Sequence, residues 1–279
     1  MAAKTIKFGP ENSTIKDGFS EIYFESWIKF AEHLNTQMLD QNSCIWRGHR
    51  EQAWKLETTF ERSFKNNSTK RTIQEQFERF YFACNGKVPV GTLRQLSDYK
   101  ELYAIGQHYG LHTPLLDWTE SPYVAAFFAF ADKDETKGKN EFRAVFCLRK
   151  KHVEIMEEAR IEEAKSNPPN NINALALLAH TSLKENQLSF YRPEISDNTR
   201  LISQSGLFSL SISSVEHWFT ANASGEDQIA YLQKLLIPES ERPLALKALN
   251  RMNINYSTLF PDLEGASKHT NLYMEIDIY

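Results

Sequence analysis

The amino-acid sequence predicts an α+β domain, and three observations lead there. Apolar residues make up 41% of the 279 residues and aromatics 12%, enough to fill a packed core. Helical periods and strand-like alternations both occur. They do not interleave as in a doubly wound sheet, because helical patterns dominate the first half and strand patterns the second. No repeat or low-complexity segment divides the chain. Residues 1–24 read as an N-terminal arm, 25–270 as a single domain, and 271–279 as a C-terminal strand or tail.

The elements follow in order. Trp27, Ile28, Phe30, Ala31 and Leu34 recur with a helical period between Phe24 and Leu39. Cys44-Ile45-Trp46 opens a strand that carries Arg47 and ends at Gly48. Residues 50–69 read as a loop anchored by Trp54, Leu56 and Phe60. Lys70 to Cys84 is a second helix, ended by Asn85-Gly86. Asp98 is positioned to cap a third helix, which Gly110 stops. Thr113-Pro114 forces an extended turn, and Asp117-Trp118-Thr119 is expected as loop. Ser121-Pro122 gives an N-cap and first-turn proline for an almost wholly apolar helix, Tyr123 to Ala131, which must be buried. Arg143 to Leu148 is a strand. His152 to Lys165 and Ile172 to Lys184 are helical. Thr199 to Ser203 leads into a strand over Leu207 to Ile212, and Asp227 to Ile237 forms another. Arg242 to Asn253 is a helix, and Thr258 to Gly265 a final turn or helix start.

Charge and cysteine content exclude several classes. Lys and Arg number 32 against 36 Asp and Glu, a net charge of −4, so the chain as a whole is no electrostatic glove for nucleic acid. Local basic clusters at Arg62, Lys65, Lys70, Arg71 and at Arg143, Arg149, Lys150, Lys151 read as solvated surface, and they leave room for a small nucleic-acid acceptor site. Cys44, Cys84 and Cys147 show neither a disulfide framework nor zinc spacing, and Cys44 and Cys147 sit in apolar runs as buried thiols. The N-terminal residues lack a signal-peptide apolar run, and no stretch reaches the ~18 apolar residues of a membrane span. A cytoplasmic protein is expected. No metal is expected either, since Gly110 breaks the helix that would align His108 with His112.

Phosphate-loop, dinucleotide-fingerprint, zincin and nucleophile-elbow motifs do not occur. Three stretches instead place polar groups among apolar ones: Trp46-Arg47-Gly48; Gln107 to Gly110 running on to Leu115–Pro122; and Arg200 through Gln204 to Phe208. Burying such groups costs several kcal/mol unless they are partnered, so a shared polar pocket is expected. Arg47 suits bidentate phosphate binding beside a glycine that admits a ligand, or an ion pair with a buried carboxylate such as Asp117. Asp117 either accepts N–H groups of a turn or lines a pocket with Thr119 and Ser121 at a helix N-terminus. Trp118 stacks on a flat ring or fills the core. Gln107 and His108 hydrogen-bond the pocket floor, or His108 caps its helix. Gln204 can orient a substrate hydroxyl but cannot serve as an ordinary general base.

These residues resemble the FRG-domain family over roughly residues 25–270. The resemblance rests on Trp46-Arg47-Gly48, on Gln107-His108-Tyr109-Gly110 with Thr113, and on Leu115–Pro122 with the apolar Val124–Ala129. It continues through Arg200, Gln204, Gly206 and Phe208 to Leu259–Gly265. Pro114 departs from the pattern, where many members carry Arg. A more distant resemblance is to ADP-ribosyltransferases: a strand bearing Arg-Gly, a Ser/Thr-rich segment here similar to Trp118–Tyr123, and a final strand whose acidic position corresponds to Gln204.

That resemblance implies a split mixed or antiparallel sheet core surrounded by helices, with NAD as co-substrate. Arg47 would hold the pyrophosphate or adenosine ribose. Thr119 and Ser121 would brace the nicotinamide ribose, with Trp118 or Tyr123 near the ring. Gln204 would orient the ribose 2′-hydroxyl and the acceptor. Asp117 or Glu216 is the candidate carboxylate facing the cation that develops as nicotinamide leaves. The acceptor is expected to be RNA, DNA or protein, in a bacterial toxin or antiviral effector with a neutralising antitoxin partner. NAD hydrolysis, a non-catalytic nucleotide or nucleic-acid sensor, and a scaffold with a polar core are the alternatives.

Overall fold

The computed structural model describes residues 7–64, 72–88, 99–133, 141–166, 187–193, 203–211, 213–222 and 230–279. In chain order the elements are β1 Ile15–Lys16, β2 Phe19–Tyr23, α1 Trp27–Gln37, β3 Cys44–His49, α2 Thr59–Phe64, α3 Ile73–Ala83 and α4 Tyr99–His108. There follow β4 Leu115–Thr119, α5 Pro122–Phe130, β5 Phe142–Arg149, α6 Lys150–Ser166, β6 Ser189–Tyr191, β7 Gly206–Leu210 and α7 Val215–Asn222. The chain ends with β8 Leu232–Pro238, α8 Arg242–Arg251, α9 Tyr256–Leu259 and α10 Leu263–Glu275.

All eight strands join one mixed sheet in the order β1-β2-β8-β5-β3-β4-β7-β6. Only β2 and β8 run parallel among these neighbours; the other pairs are antiparallel. The central strands are covered on both faces, which is why Phe142–Arg149 is buried almost throughout rather than alternately. Val145, Cys147, Leu235 and Ile237 meet α1, α5, α8 and α10 on one face. Ile45, Phe146, Leu148 and Leu232 meet α6 and α7 on the other. Farther along the first face, α4 packs on Leu115 and Phe208. Cys44 and Cys147 are buried free thiols.

The apolar helix α5 is the pivot. Ser121 caps it by accepting from the Val124 amide at 3.3 Å. Two buried arginines hold its other end: Arg143 donates to the Ala129 carbonyl at 3.1 Å, and Arg242 donates to Phe130 and Ala131 carbonyls, each at 2.8 Å. They satisfy carbonyls that a helix C-terminus leaves unpaired. Glu239 and Glu275 neutralise the two guanidinium groups.

Several expectations are corrected. Arg143 is fully buried, not part of a solvated basic cluster, because its partner Glu239 lies far along the chain. Residues 15–23 of the expected arm form β1 and β2, the latter a sheet strand beside β8. The loop over 50–69 contains α2, started by Thr58 Oγ1, which accepts from the Glu61 amide at 3.1 Å. Asp117-Trp118-Thr119 belongs to β4 rather than a loop, and five strands precede residue 150. Residues 271–275 complete α10 instead of a strand or tail, since Leu272 and Ile276 lie one helical turn apart and both enter the core. The helix expected over 172–184, the Asp98 cap, Arg200, Lys65, Lys70 and Arg71 lie outside the described residues.

Candidate functional site

The site lies where the sheet opens. Strand β3 pairs with β5 along its whole length, but its register with β4 is Trp46 opposite Thr119 alone. Strand alternation then sends neighbouring side chains to opposite faces. Arg47 stands beside Phe146 on the face covered by α6 and α7, whereas Asp117 stands beside Phe208 on the face covered by α4. The two meet in the gap. Arg47 Nη1 donates to the Asp117 backbone carbonyl at 2.6 Å and lies 3.6 Å from its carboxylate. The guanidinium thus takes a carbonyl that a continuing β3–β4 ladder would have used.

His49, two residues along the same strand, completes the Arg47 setting. Arg47 Nε donates to His49 Nε2 at 2.9 Å. The imidazole proton therefore belongs on Nδ1, which is buried and makes no hydrogen bond among the described residues. Burial, then the Arg47 charge, pushes the His49 pKa well below the ordinary histidine range. Burial likewise lowers the Arg47 pKa, against the pull of Asp117, but an arginine stays charged.

Across the gap, Gln107 Nε2 donates to Asp117 Oδ1 at 2.8 Å, and Gln107 Oε1 accepts from the Thr113 hydroxyl. At the end of β4, Thr119 Oγ1 donates to the Gln204 carbonyl at 2.6 Å and accepts from the Ser121 amide at 3.1 Å. Gln204 Nε2 donates to the Leu259 carbonyl at 3.1 Å. The following Ser205 adopts φ 48°, the left-handed turn that leads into β7. Two bonded groups thus meet on β4, His49–Arg47–Asp117–Gln107 and, two residues along the strand, Thr119–Gln204.

These residues line a cleft of about 1090 Å³. The structure brings Arg47, Gly48, Gln107, His108, Asp117, Trp118, Thr119 and Gln204 to it, with His108 exposed at its edge. Several expected roles are not realised. Ser121 is spent as the α5 cap. Tyr123 packs on Trp27 and donates to Asn35 at 3.0 Å, away from the cleft. The Trp118 indole is buried and donates to Ser209 at 2.8 Å, so it fills the core instead of stacking on a ligand. Gly48 has a packing reason as well: a Cβ there would lie 1.9 Å from the Ala125 carbonyl oxygen. Glycine at 48 lets α5 cross β3. Glu216 accepts from the Leu56 amide at 2.8 Å, and burial raises its pKa; it is not a cleft carboxylate.

Sequence reasoning missed other cleft residues. His49 was detectable from its i, i+2 relation to Arg47 on one strand. Trp54, expected as a core anchor, is 44% exposed in the cleft and carries the Arg50 guanidinium over its ring at 5.3 Å. Lys55 and Arg62 join that end, while Asp132 and Phe260 join the end near Gln204. Phe260 belongs to the Leu259–Gly265 block of the resemblance but was given no role, and no local signal identifies Asp132, which follows α5.

Residues 42–138 match the family model described as the FRG domain. The matched stretch contains the first two motif blocks and both Arg47 and Asp117. Gln204, Phe208 and the Leu259–Gly265 turn lie beyond it, yet Gln204, Phe208 and Phe260 face the same cleft. No curated protein and no solved structure matches the chain. No helix among the described residues is long and apolar enough to cross a membrane.

Proposed function

We propose that this FRG-domain protein binds NAD in the cleft between β3 and β4 and transfers ADP-ribose to a macromolecular acceptor, on an ADP-ribosyltransferase-like split of its sheet. One observation carries the reading: Arg47, Asp117, Thr119 and Gln204 come from distant segments and converge on one cleft. Its volume lies just above the ~300–1,000 Å³ of small-molecule sites, and it combines cations, carboxylates and aromatic rings, as a dinucleotide requires. Arg47 has its Nε on His49 and Nη1 on Asp117, and Nη2 makes no hydrogen bond among the described residues. It therefore meets a phosphate from a fixed orientation. The Asp117 carboxylate faces positive charge developing on the ribose. Gln204, anchored through its amide nitrogen, has its carbonyl oxygen to accept from a ribose hydroxyl.

In the reaction an acceptor lone pair bonds to ribose C1′ as the C1′–N bond to nicotinamide breaks. Nicotinamide leaves with the bonding pair, and the acceptor proton passes to Asp117 or water. RNA, DNA and protein are the acceptor classes; with water the same chemistry is NAD hydrolysis. An intracellular toxin or antiviral role follows from such chemistry, with a neutralising protein expected over the cleft. The second reading, a nucleotide sensor without turnover, is favoured by the neutral amide of Gln204 at the position where a carboxylate would aid transfer. Incubating the protein with NAD and separate RNA, DNA and protein fractions tests both. Nicotinamide release with one labelled fraction supports transfer. Binding of NAD with no release under any condition supports the sensor.

A further inference from the structure

The cleft is not symmetric along its length. At one end the Trp54 indole is 44% exposed, yet held in place: the Arg50 guanidinium lies 5.3 Å from the ring centroid, and the His49 ring meets it edge-on at 6.0 Å. Lys55 and Arg62 stand beside it, with Glu57 near them and Glu51 3.7 Å from Arg50. At the other end are Gln204, Phe260 and Asp132, the last accepting from the Tyr256 hydroxyl at 3.0 Å. Arg47 lies between: it bonds His49, whose ring meets Trp54, and Asp117, two residues along β4 from the Thr119 that bonds Gln204.

We infer that Trp54, backed by Arg50, is the platform for the adenine ring of the dinucleotide, so that NAD lies with adenine at Trp54, pyrophosphate at Arg47 and nicotinamide at the Gln204–Phe260 end. Charge sets this direction. The nicotinamide ring of NAD is a cation. At the Trp54 end it would meet Arg50, Lys55 and Arg62, and like charges at short range repel. At the other end it meets Asp132, and the cation over the Phe260 ring, Lys268 at 5.7 Å, is paired with Glu264 at 2.9 Å. Adenine is neutral and stacks on an exposed indole without that penalty. The assignment rests on the NAD reading above and adds to it a direction and a second binding residue.

Calorimetric titration of the full chain with NAD, ADP, nicotinamide mononucleotide and a short single-stranded oligonucleotide tests it. Trp54→Ala is expected to weaken ADP and NAD about 5- to 150-fold, the size of one lost base–aromatic stack. Trp54→Phe keeps most of the affinity, and the mononucleotide is unaffected by either change. Trp54 is half-exposed, and a thermal melt of each variant verifies that it is folded. If Trp54→Ala weakens the mononucleotide and spares ADP, the direction is reversed and the inference is overturned. If it weakens only the oligonucleotide, the platform belongs to the acceptor, and the adenine assignment falls. If ADP and NAD bind unchanged to Trp54→Ala but are lost with Arg47→Ala, the platform is wrong while the NAD reading stands. A wild-type protein that binds neither NAD nor ADP ends both.

Discussion

Replacing Gly48 by alanine separates two explanations of the glycine beside Arg47. The added Cβ would lie 1.9 Å from the Ala125 carbonyl oxygen and 2.6 Å from the Ala129 amide nitrogen. Both are backbone atoms of α5 and cannot rotate away. Restoring a contact of ~3.5 Å requires the helix to retreat about 1.5 Å from β3. That helix buries Val124, Ala125, Ala126, Phe127, Ala129 and Phe130, so the retreat loosens packing along the core face. Overpacking of this kind costs about 3 kcal/mol, near the upper end of its usual range. With a urea dependence of about 3 kcal/mol/M, the unfolding midpoint falls by about 1 M. Urea unfolding followed by tryptophan fluorescence measures this. A midpoint unmoved within ~0.2 M, together with loss of nucleotide binding, would refute the packing argument and return Gly48 to a ligand-approach role.

The remaining expectations concern the charged groups. Arg47→Ala leaves the protein folded, with a stability loss of about 1–3 kcal/mol from unpaired acceptors, and lowers nicotinamide release at least ~100-fold; wild-type turnover would remove Arg47 from the site. His49 has a folded-state pKa below its unfolded value, so the stability tied to its neutral form is present above about pH 6.5 and is lost as the pH falls below that. Urea midpoints at pH 7 and pH 5 are expected to differ less for His49→Gln, whose side-chain oxygen still accepts from Arg47; Arg47, Arg62 and Lys234 are the cations facing this group, and an identical pH response would exclude it as the titrating residue. Glu239→Ala strands the buried Arg143 charge and costs about 2–3 kcal/mol, below the fully buried case because Glu239 is 26% exposed; a loss under ~0.5 kcal/mol would place the pair among weak surface contacts.

Local patterns made much of the scaffold legible. The Ser121-Pro122 start and apolar run of α5 were readable because capping and all-round hydrophobicity are short-range signals. The Arg47–Asp117 pair was readable only in part: the two meet at 3.6 Å, but the Asp117 carboxylate is exposed, not the buried group expected. Strand β4 was hidden by its polar residues. Asp117 faces the cleft while Trp118 turns into the core, and that division becomes visible only once the stretch is known to alternate. Trp54 misled for the opposite reason: a large apolar ring suggests core, and nothing nearby in the chain says that it borders an open gap. Arg143 looked solvated among Arg149, Lys150 and Lys151, since Glu239 and the Ala129 carbonyl reach it only through the tertiary fold.

The two arginines at the end of α5 have a consequence during synthesis. Their counter-ions, Glu239 and Glu275, come after β8 in the chain, and Phe260, part of the cleft wall, lies between them. A nascent polypeptide that has emerged only as far as β7 already carries Arg47, Asp117 and Gln204, but its central helix is not yet clasped and its cavity lacks one side. Competence is thus deferred until α10 has been made, and lesions that cut the chain before Glu275 should be as silencing as those at the Arg-Gly strand.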